Sequence, residues 1–329
     1  MSAPRVSDAP LAATVVVPTL DPGPELGELL DRIGGQRAPG PFEVLVIDSG
    51  SRDGTLAVLA ERGIRHLVIA KEDFNHGLTR NLGVREAHGE IVAFLSQDAL
   101  PRPGWLAGLL AAFEDPAVAG AYSRQVPRPD ASPFAIDQLS HWPASSPEPR
   151  HQVMPPRGAF AAMSLEEKLV TVCFDNVSSA VRRSVASALP FRDLAFGEDR
   201  DWAYRALVAG HAIEYRPESV VVHSHDRSFL HGLRRTFADH RLIRELLQPA
   251  SPPGPLAHLI GGIRAETLRL FDVASEAASR RLRWKARWQA PLRALERNLG
   301  AYLAARSVHL SAGGSRTWSW LQRWLATGL

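Results

Sequence analysis

Short apolar runs alternate with amphipathic stretches through the first part of the chain. The apolar runs predict buried strands, at residues 14–18, 44–48, 64–69, 91–95 and 118–122. Between them apolar residues recur every three or four positions, which predicts helices at residues 25–36, 55–62, 79–87 and 105–113. Strands that alternate with helices are typical of a doubly wound, mostly parallel sheet. The pattern therefore predicts an α/β fold.

The pattern changes after residue 127. Residues 127–158 contain eight prolines and no clear period, which predicts a long surface excursion, either functional or disordered. Further strands are predicted at residues 174–181, 213–215 and 220–223, and helices at residues 184–189, 198–209 and 229–247. The Pro-rich stretch at residues 249–255 predicts a linker. The predicted organisation is a disordered tail at 1–10, an α/β domain at 11–248, the linker, and a helical region at 256–329.

Composition narrows the class of protein. The single cysteine, Cys173, excludes an internal disulfide and a cysteine-based zinc site, and fits a reducing compartment. Residues 1–10 lack the basic and apolar regions of a signal peptide, and no apolar run approaches the roughly 20 residues that span a membrane. The expected location is cytoplasmic, and no nucleic-acid partner is expected.

Carboxylates follow two of the predicted strands. Asp48 ends the second strand, Asp53 lies five residues on, and Asp98 follows the fourth strand. Open α/β sheets bind ligands at the carboxyl ends of their strands, so these residues fit a ribose, a base and a divalent ion on phosphates. The alternative is that Asp53 caps a helix and Asp98 forms a turn.

Two more groups have the chemistry of a site. Glu198 and Asp199 open a helix, where they either cap it or supply a general base for an attacking hydroxyl. His223 and His225 follow a strand with one residue between them, and with a carboxylate they can complete a metal site; otherwise they are surface histidines.

Polar residues elsewhere are candidates for binding phosphate or sugar. Arg80 and Asn81 lie near a predicted helix start, and Asp175 and Asn176 near a predicted strand start; each pair is either structural or ligand-binding. The chain has no P-loop motif and no G-x-G-x-x-G after the first strand, which counts against a P-loop NTPase and a Rossmann dehydrogenase.

In this order the motifs resemble those of the inverting family 2 glycosyltransferases, which have the GT-A fold. The resemblance covers residues 14–247 and rests on TVVVPTLD, VIDSGSRDGT, FLSQDALP, GEDRDW and VVHSH. The stretches KEDFNHGLTRNLG, YSRQ, CFDNVSSAVRRSV and VVVHSHDRS resemble the bacterial rhamnosyltransferase branch in particular. That branch commonly transfers L-rhamnose from dTDP-L-rhamnose to polysaccharide or lipid-linked glycan acceptors. The alternatives are another donor, UDP- or GDP-linked, a nucleotide-sugar hydrolase, or a pseudo-transferase that binds without catalysis.

The resemblance implies a role for each candidate residue. Asp199 is the implied catalytic base, and Asp98 with His223 or His225 the implied ligands of Mg²⁺ or Mn²⁺. The sequence departs from the family's D-x-D motif, because Ser96 replaces its first Asp. A lone Asp at this motif is also typical of the rhamnosyltransferase branch. The implied donor-binding residues are Pro18, Thr19, Asp48, Ser49, Asp53, Arg80, Asn81, Gln97 and Asp98. The implied sugar or acceptor contacts are Asp175, Asn176, Glu198 and Trp202.

The positive charge of the chain lies at its C-terminus. Residues 280–329 carry ten Lys and Arg against Glu296 alone, a net charge of +9, so the rest carries −6 of the total of +3. An apolar stripe of helical spacing accompanies them, formed by Trp284, Trp288, Leu292, Leu295, Leu299 and Leu303. The stripe either packs on the α/β domain or on a second subunit, or lies peripherally on the inner face of an anionic cytoplasmic membrane.

Overall fold

A computed structural model describes residues 11–226, 228–247, 254–277, 279–310 and 324–325. The predicted tail at 1–10 and most of the predicted linker lie outside these residues. The described chain forms one sheet of nine strands. The strands are β1 (Ala13–Thr19), β2 (Phe42–Asp48), β3 (Arg65–Val68), β4 (Ile91–Leu95), β5 (Leu100–Pro101), β6 (Val118–Val126), β7 (Arg150–Gln152), β8 (Ser178–Arg182) and β9 (Ala212–Val222).

The sheet is mixed but mostly parallel, as predicted. Its order is β3-β2-β1-β4-β8-β6-β9-β5, with β7 paired beside β5 on the edge of β9. Strands β1, β2, β3, β4, β6 and β9 run in one direction, and β8 lies antiparallel between β4 and β6. The two short strands predicted at 213–215 and 220–223 are one strand, β9, with an irregular register opposite Ser123 and Arg124. Hydrophobic period alone does not reveal that β8 reverses direction.

Helices cover both faces of the sheet. They are α1 (Glu25–Gly34), α2 (Thr55–Glu61), α3 (His76–Glu86), α4 (Trp105–Ala111), α5 (Pro133–Ser140), α6 (Arg157–Ala162), α7 (Leu165–Thr171), α8 (Arg183–Ala188), α9 (Glu198–Val208), α10 (Phe229–Leu247), α11 (Leu256–Ser275) and α12 (Arg280–Leu310). Short 3-10 helices lie at Lys71–Asp73, Ala112–Glu114 and Pro143–Ser145. Because neighbouring residues of a strand face opposite sides, Val15 and Val17 of β1 pack with α1 and α4, and Val16 packs on the other face in a cluster with Trp202.

The Pro-rich segment at 127–158 has more structure than predicted. It contains α5, a 3-10 helix and β7, and Ala144 is fully buried. The Tyr215 hydroxyl donates to the Ser146 carbonyl at 2.7 Å, and Arg124 Nε donates to the Ser145 carbonyl at 3.1 Å. The segment therefore packs against the end of the sheet rather than running over the surface.

The C-terminal helices pack on the α/β domain. Helix α12 pairs with α10 and α11, and Phe134 of α5 joins Leu270 of α11 and Ala290 of α12 in one apolar cluster. Arg269 of α11 makes a bidentate ion pair with Asp137 of α5, at 2.7 and 3.0 Å. Among the described residues, no helix is both long and apolar enough to cross a bilayer.

Candidate active site

Three loops meet at the carboxyl ends of β1, β2 and β4. The Gln97 side chain, after β4, accepts from the Leu20 amide at 2.8 Å and donates to the Leu20 carbonyl at 3.1 Å. Asp53, after β2, accepts from the Gly23 amide at 2.6 Å, and Asp21 accepts from the Arg52 amide at 2.7 Å. These bonds join the loops after β1, β2 and β4 into one edge, at the end of the sheet where the sequence predicts the donor.

The predicted donor residues of this edge differ in exposure. Asp48 is fully buried, and its carboxylate accepts from Thr19, from the Gly50 amide and from both the amide and hydroxyl of Ser51. Asp48 therefore shapes the loop after β2. Ser49 Oγ is buried and has no hydrogen-bond partner among the described residues. Pro18 is half-buried, and Asp53 is exposed, with one carboxylate oxygen bound to Thr55. Asp53 is the acid of this pair that a ligand can reach.

Asp98, His223 and His225 form a cluster with the composition of a metal site. His225 Nε2 lies 2.9 Å from Asp98 Oδ2 and 2.9 Å from His223 Nε2, and His223 Nε2 lies 3.7 Å from Asp98 Oδ1. Neighbouring ligands of an octahedral ion with bonds of about 2.1 Å lie about 3 Å apart, so the three side chains fit around one divalent ion. Burial raises the pKa of Asp98, but the hydrogen bond from His225 and the charge of both histidines outweigh it and lower this pKa to about 2. Asp98 is thus an anionic ligand throughout the physiological range.

A buried hydrogen-bond chain orients His223. The Asp175 carboxylate accepts from the Val177 amide at 2.9 Å, Trp142 Nε1 at 2.9 Å and Gln125 Nε2 at 2.6 Å. Because a carboxylate accepts, Gln125 presents its NH₂ to Asp175 and its carbonyl oxygen to His223 Nδ1, 2.8 Å away. When His223 is neutral, as a metal ligand must be, its proton therefore lies on Nδ1 and the lone pair of Nε2 is directed toward Asp98 and His225.

Glu198 and Asp199 lie side by side at the start of α9 but have opposite environments. Burial raises the pKa of Glu198, yet the adjacent Arg80 guanidinium and His76 outweigh burial and lower it. Asp199 has the reverse balance: burial and the charges of Glu198 and Asp175 raise its pKa to about 7. Asp199 is half-buried, and its carboxylate accepts from the amides of Asn176 at 3.4 Å and Arg200 at 2.7 Å. A carboxylate with a pKa near neutrality is suited to exchange protons.

Arg80 lies beneath this pair of acids. Its guanidinium donates to Glu198 Oε1 at 2.8 Å and to the Asn176 carbonyl at 3.3 Å, and the Asn176 side chain donates to the same Glu198 oxygen at 3.2 Å. Glu198, Asn176 and Arg80 are all buried. The three residues therefore form a rigid support for Asp199, whereas the sequence predicted that each contacts the substrate.

Replacing Arg80 with methionine is expected to destabilise the protein by about 3–5 kcal/mol, because the Glu198 charge would remain buried without its partner. Chemical denaturation measures the change in unfolding free energy. Arg85→Met, on the exposed face of the same helix, is the matched control and should stay within about 0.5 kcal/mol of the parent. An equal, small effect of both substitutions would show that the ion pair does not support α9.

The prediction that Trp202 lines the sugar or acceptor site is wrong. The ring is fully buried, and its Nε1 donates to the Leu189 carbonyl at 2.8 Å. It stacks between Phe174 and Phe191, at centroid distances of 5.1 and 5.4 Å. Asn81 likewise belongs to the scaffold, since its side chain exchanges two hydrogen bonds with the backbone of Phe191. A tryptophan one turn from a catalytic motif resembles a binding residue until its packing is known.

Three residues of the site were not assigned a role from the sequence. Gln125 ends the YSRQ motif, which carries the resemblance but not a function. Trp142 and Arg128 lie in the Pro-rich segment, and Arg128 donates to Glu25 at 2.8 and 2.9 Å and to the Asp98 carbonyl at 2.8 Å. Only the YSRQ motif offered a signal. The other two reach the site because the segment folds back over the sheet.

Comparison with known proteins identifies the family. The profile of glycosyl transferase family 2 matches residues 14–189. The chain belongs to this family. The O-antigen chain rhamnosyltransferase RfbN of Salmonella typhimurium is 31% identical over 230 residues, which is 68% of this chain and 70% of that protein. WbaN of Salmonella anatum, also an O-antigen chain rhamnosyltransferase, is 30% identical over 229 residues, with the same coverage.

Solved structures support the fold of this family 2 glycosyltransferase. The mannosyltransferase PcManGT from Pyrobaculum calidifontis, in complex with GDP-Man and Mn²⁺, aligns with a TM-score of 0.51 at 20% identity, over 96% of this chain and 79% of that chain. TarS 1-349 from S. aureus aligns with a TM-score of 0.50 at 16% identity, over 92% of both chains. The predicted GT-A fold and glycosyltransferase family are confirmed.

Proposed function

We propose that this glycosyltransferase moves L-rhamnose from dTDP-L-rhamnose to a hydroxyl of a polysaccharide or lipid-linked glycan, with inversion. One observation carries the mechanism. The half-buried Asp199 and the cluster of Asp98, His223 and His225 lie at the two ends of a network through residues 175 and 176. A base and a diphosphate site are the two elements that a single displacement requires. The relatives, which are O-antigen chain rhamnosyltransferases, support rhamnose as the sugar.

In the proposed reaction Asp199 takes the proton of the acceptor hydroxyl. The hydroxyl oxygen forms a bond to the anomeric carbon as the bond from that carbon to the diphosphate oxygen breaks, so that the nucleoside diphosphate leaves. Asp199 is suited to this role because its pKa of about 7 combines basicity with a deprotonated population at neutral pH. Glu198, tied to Arg80, stays charged and contributes to that raised pKa.

Asp98, His223 and His225 would hold the divalent ion. Two imidazoles favour Mn²⁺ over Mg²⁺, which prefers oxygen ligands. When bound, the ion would neutralise the charge that develops on the leaving diphosphate. The backbone carbonyl of Asp98 is fixed by Arg128, and the His223 ring by Gln125, so both ligands are oriented in advance.

The donor nucleotide is proposed to occupy the edge formed by the loops after β1, β2 and β4. Thr19 and Gln97 shape this edge, and Asp53 is its exposed carboxylate. Transfer is proposed to occur in the cytoplasm, where a free thiol persists. Cys173 takes no part, because it is buried and burial raises the pKa of its thiol to about 12.

A panel of nucleotide sugars tests the donor. With Mn²⁺ present, dTDP-L-rhamnose should raise the melting temperature more than UDP- or GDP-linked sugars, because a ligand that binds the folded state stabilises it by mass action. A mass-traced rhamnose should then appear on a glycan acceptor. Rhamnose released only as free sugar would indicate a hydrolase. Donor binding without release or transfer of the sugar would indicate a pseudo-transferase, and a preference for another nucleotide would indicate a different donor.

Gln125→Met should weaken Mn²⁺ binding by about 10–100-fold, because it removes the carbonyl that sets the tautomer of His223. Isothermal titration with Mn²⁺ measures the change without requiring donor or acceptor. Gln36→Met is the matched control, since Gln36 is also buried and hydrogen-bonded but lies just after α1, where its side chain donates to the carbonyls of Arg32 and Arg102. Equal Mn²⁺ affinity in both variants would contradict the role of Gln125.

A further inference from the structure

The apolar stripe predicted on the C-terminal helix divides into two parts in the structure. Trp284, Trp288 and Leu292 are 67%, 68% and 54% exposed, whereas Leu295, Leu299 and Leu303 are half-buried. The side of the N-terminal half of α12 that packs on α11 and α5 is formed by small residues, Ala286, Ala290 and Ala294. The first half of the stripe therefore does not pack on the α/β domain, which leaves a second subunit or a membrane surface as its partner.

Five of the exposed residues lie on one side of the helix. At 100° per residue, Arg281, Trp284, Lys285, Trp288 and Leu292 fall within an arc of about 100°, opposite the alanines. We call these five residues the outer face of α12. The rings of Trp284 and Trp288 contact each other edge to face, with centroids 5.8 Å apart. Two indoles and a leucine thus form a continuous apolar surface directed away from the protein.

The charge on this half of α12 is of one sign. Arg280, Arg281 and Lys285 are exposed and make no ion pair among the residues that the structure describes. No acid occurs between Glu276 and Glu296. A second copy of the outer face would bring like charges together across a two-fold axis, which opposes self-association. An apolar protein face beside unpaired cations is complementary to a partner that has an anionic surface and an apolar interior.

We propose that the outer face of α12 binds the surface of an anionic lipid bilayer. Tryptophan is favoured at the membrane–water interface because its ring is apolar and its N–H is polar. Each basic residue near such a surface adds attraction that salt weakens. The helix would lie in the plane of the interface with Trp284 and Trp288 inserted among the headgroups.

Helices α12 and α10 connect this surface to the proposed active site. Helix α10 begins four residues after His225, and Gly232 in its first turn touches Glu296 of α12 so closely that a Cβ at Gly232 would overlap that carboxylate. Trp284 lies twelve residues before Glu296, or about 18 Å along the helix. Bilayer binding would therefore bring the proposed active site near a lipid-linked acceptor, a consequence that rests on the proposed function.

Vesicle co-sedimentation of the complete chain, without donor or acceptor, tests the proposal. Binding should require phosphatidylglycerol in phosphatidylcholine vesicles and should weaken steeply with salt. Arg281→Gln with Lys285→Gln should reduce binding about 10- to 30-fold, and Trp284→Ala with Trp288→Ala about 10-fold or more. Arg85→Gln with Arg183→Gln, both exposed on other helices, changes the net charge equally and should leave binding near the parent level.

Several results would overturn the proposal. These are equal binding to neutral vesicles, equal losses in the face variants and the charge-matched control, or no binding at low salt. The remaining alternative is that the outer face of α12 binds a second copy of the chain. Sedimentation velocity without lipid tests this alternative: a dimer in the parent that is lost in the tryptophan variants would support it and overturn the proposal. Since none of these measurements involves a sugar donor, failure here is distinct from failure of the proposed transfer reaction.

Discussion

Replacing Asp199 with asparagine is expected to lower turnover by roughly 10²-fold or more, because the acceptor hydroxyl would lose its proton acceptor. Donor binding should persist, since the donor edge is formed by the loops after β1, β2 and β4. Initial rates of sugar transfer measure the effect on turnover, and a separate measurement of donor affinity gives the effect on donor binding. Asp201→Asn is the control on the same helix: its carboxylate is bound to Arg192 and Arg205, and turnover of the folded protein should be retained. Near-parental transfer by the Asp199 variant would contradict its assignment as the base.

The pH dependence provides an independent test of the same residue. A base with a pKa of about 7 is half-deprotonated there, so the transfer rate should rise with pH through about 7 and then level off. An ordinary aspartate would already be deprotonated at pH 5. The inflection near pH 7 should be absent from the residual rate of Asp199→Asn. A rate that is constant between pH 5 and pH 8 would contradict the assignment.

The raised pKa of Asp199 also affects stability. The folded protein binds this proton more tightly than the unfolded chain, so the contribution of Asp199 to the free energy of unfolding falls as pH rises from about 4 to about 7. At pH 8 Asp199→Asn removes that penalty and should stabilise the protein, by up to a few kcal/mol. Thermal unfolding measures this effect. A variant that is inactive but more stable would distinguish loss of the base from loss of the fold.

Asp98→Ala and His223→Ala should each lower Mn²⁺ affinity by roughly 100-fold or more, exceeding the 10–100-fold typical of outer-shell residues. Each substitution removes one of the three side chains that converge within 4.8 Å. Titration calorimetry reports the ion directly, and transfer assays with EDTA should reproduce the loss of activity. His88→Ala is the matched control, because His88 is exposed and contacts Glu43 rather than the cluster. Full activity after exhaustive chelation would remove the ion from the mechanism.

Much of the fold follows from local patterns. The strand β1 reads TVVVP in sequence and is buried on both faces, as a central parallel strand must be. The helices α1 and α9 begin where the sequence predicts, at Glu25 and Glu198. The direction of a strand in the sheet and the segments that pack beside it are not local properties of the sequence. The antiparallel β8 and the structured segment at 127–158 depend on contacts between residues far apart in the chain, which hydrophobic period does not encode.

The same division applies to the site. The family resemblance implied that Asp98 shares a metal site with His223 or His225, and the structure brings the ligand atoms of all three within 4.8 Å of one another. The roles of Arg80 and Trp202 were not predicted, because both residue types bind ligands as readily as they support a scaffold. Burial decides between these roles: Arg80 is ion-paired beneath Glu198, and Trp202 is enclosed by aromatic rings.

The sequence by itself determined the alternation of strands and helices, the family, and part of the set of residues at the candidate site, since each depends on spacing and residue type. Only the tertiary structure decided which members of each group stay accessible. It separated the pKa values of Glu198 and Asp199, because Arg80 and His76 lower the first, whereas burial and the charges of Glu198 and Asp175 raise the second. It also placed the Gln125 side chain against Nδ1 of His223. It also exposed Trp284 while burying the alanines of the same helix. Burial and charge environment are properties of what packs around a residue, and that packing is settled only when distant segments meet.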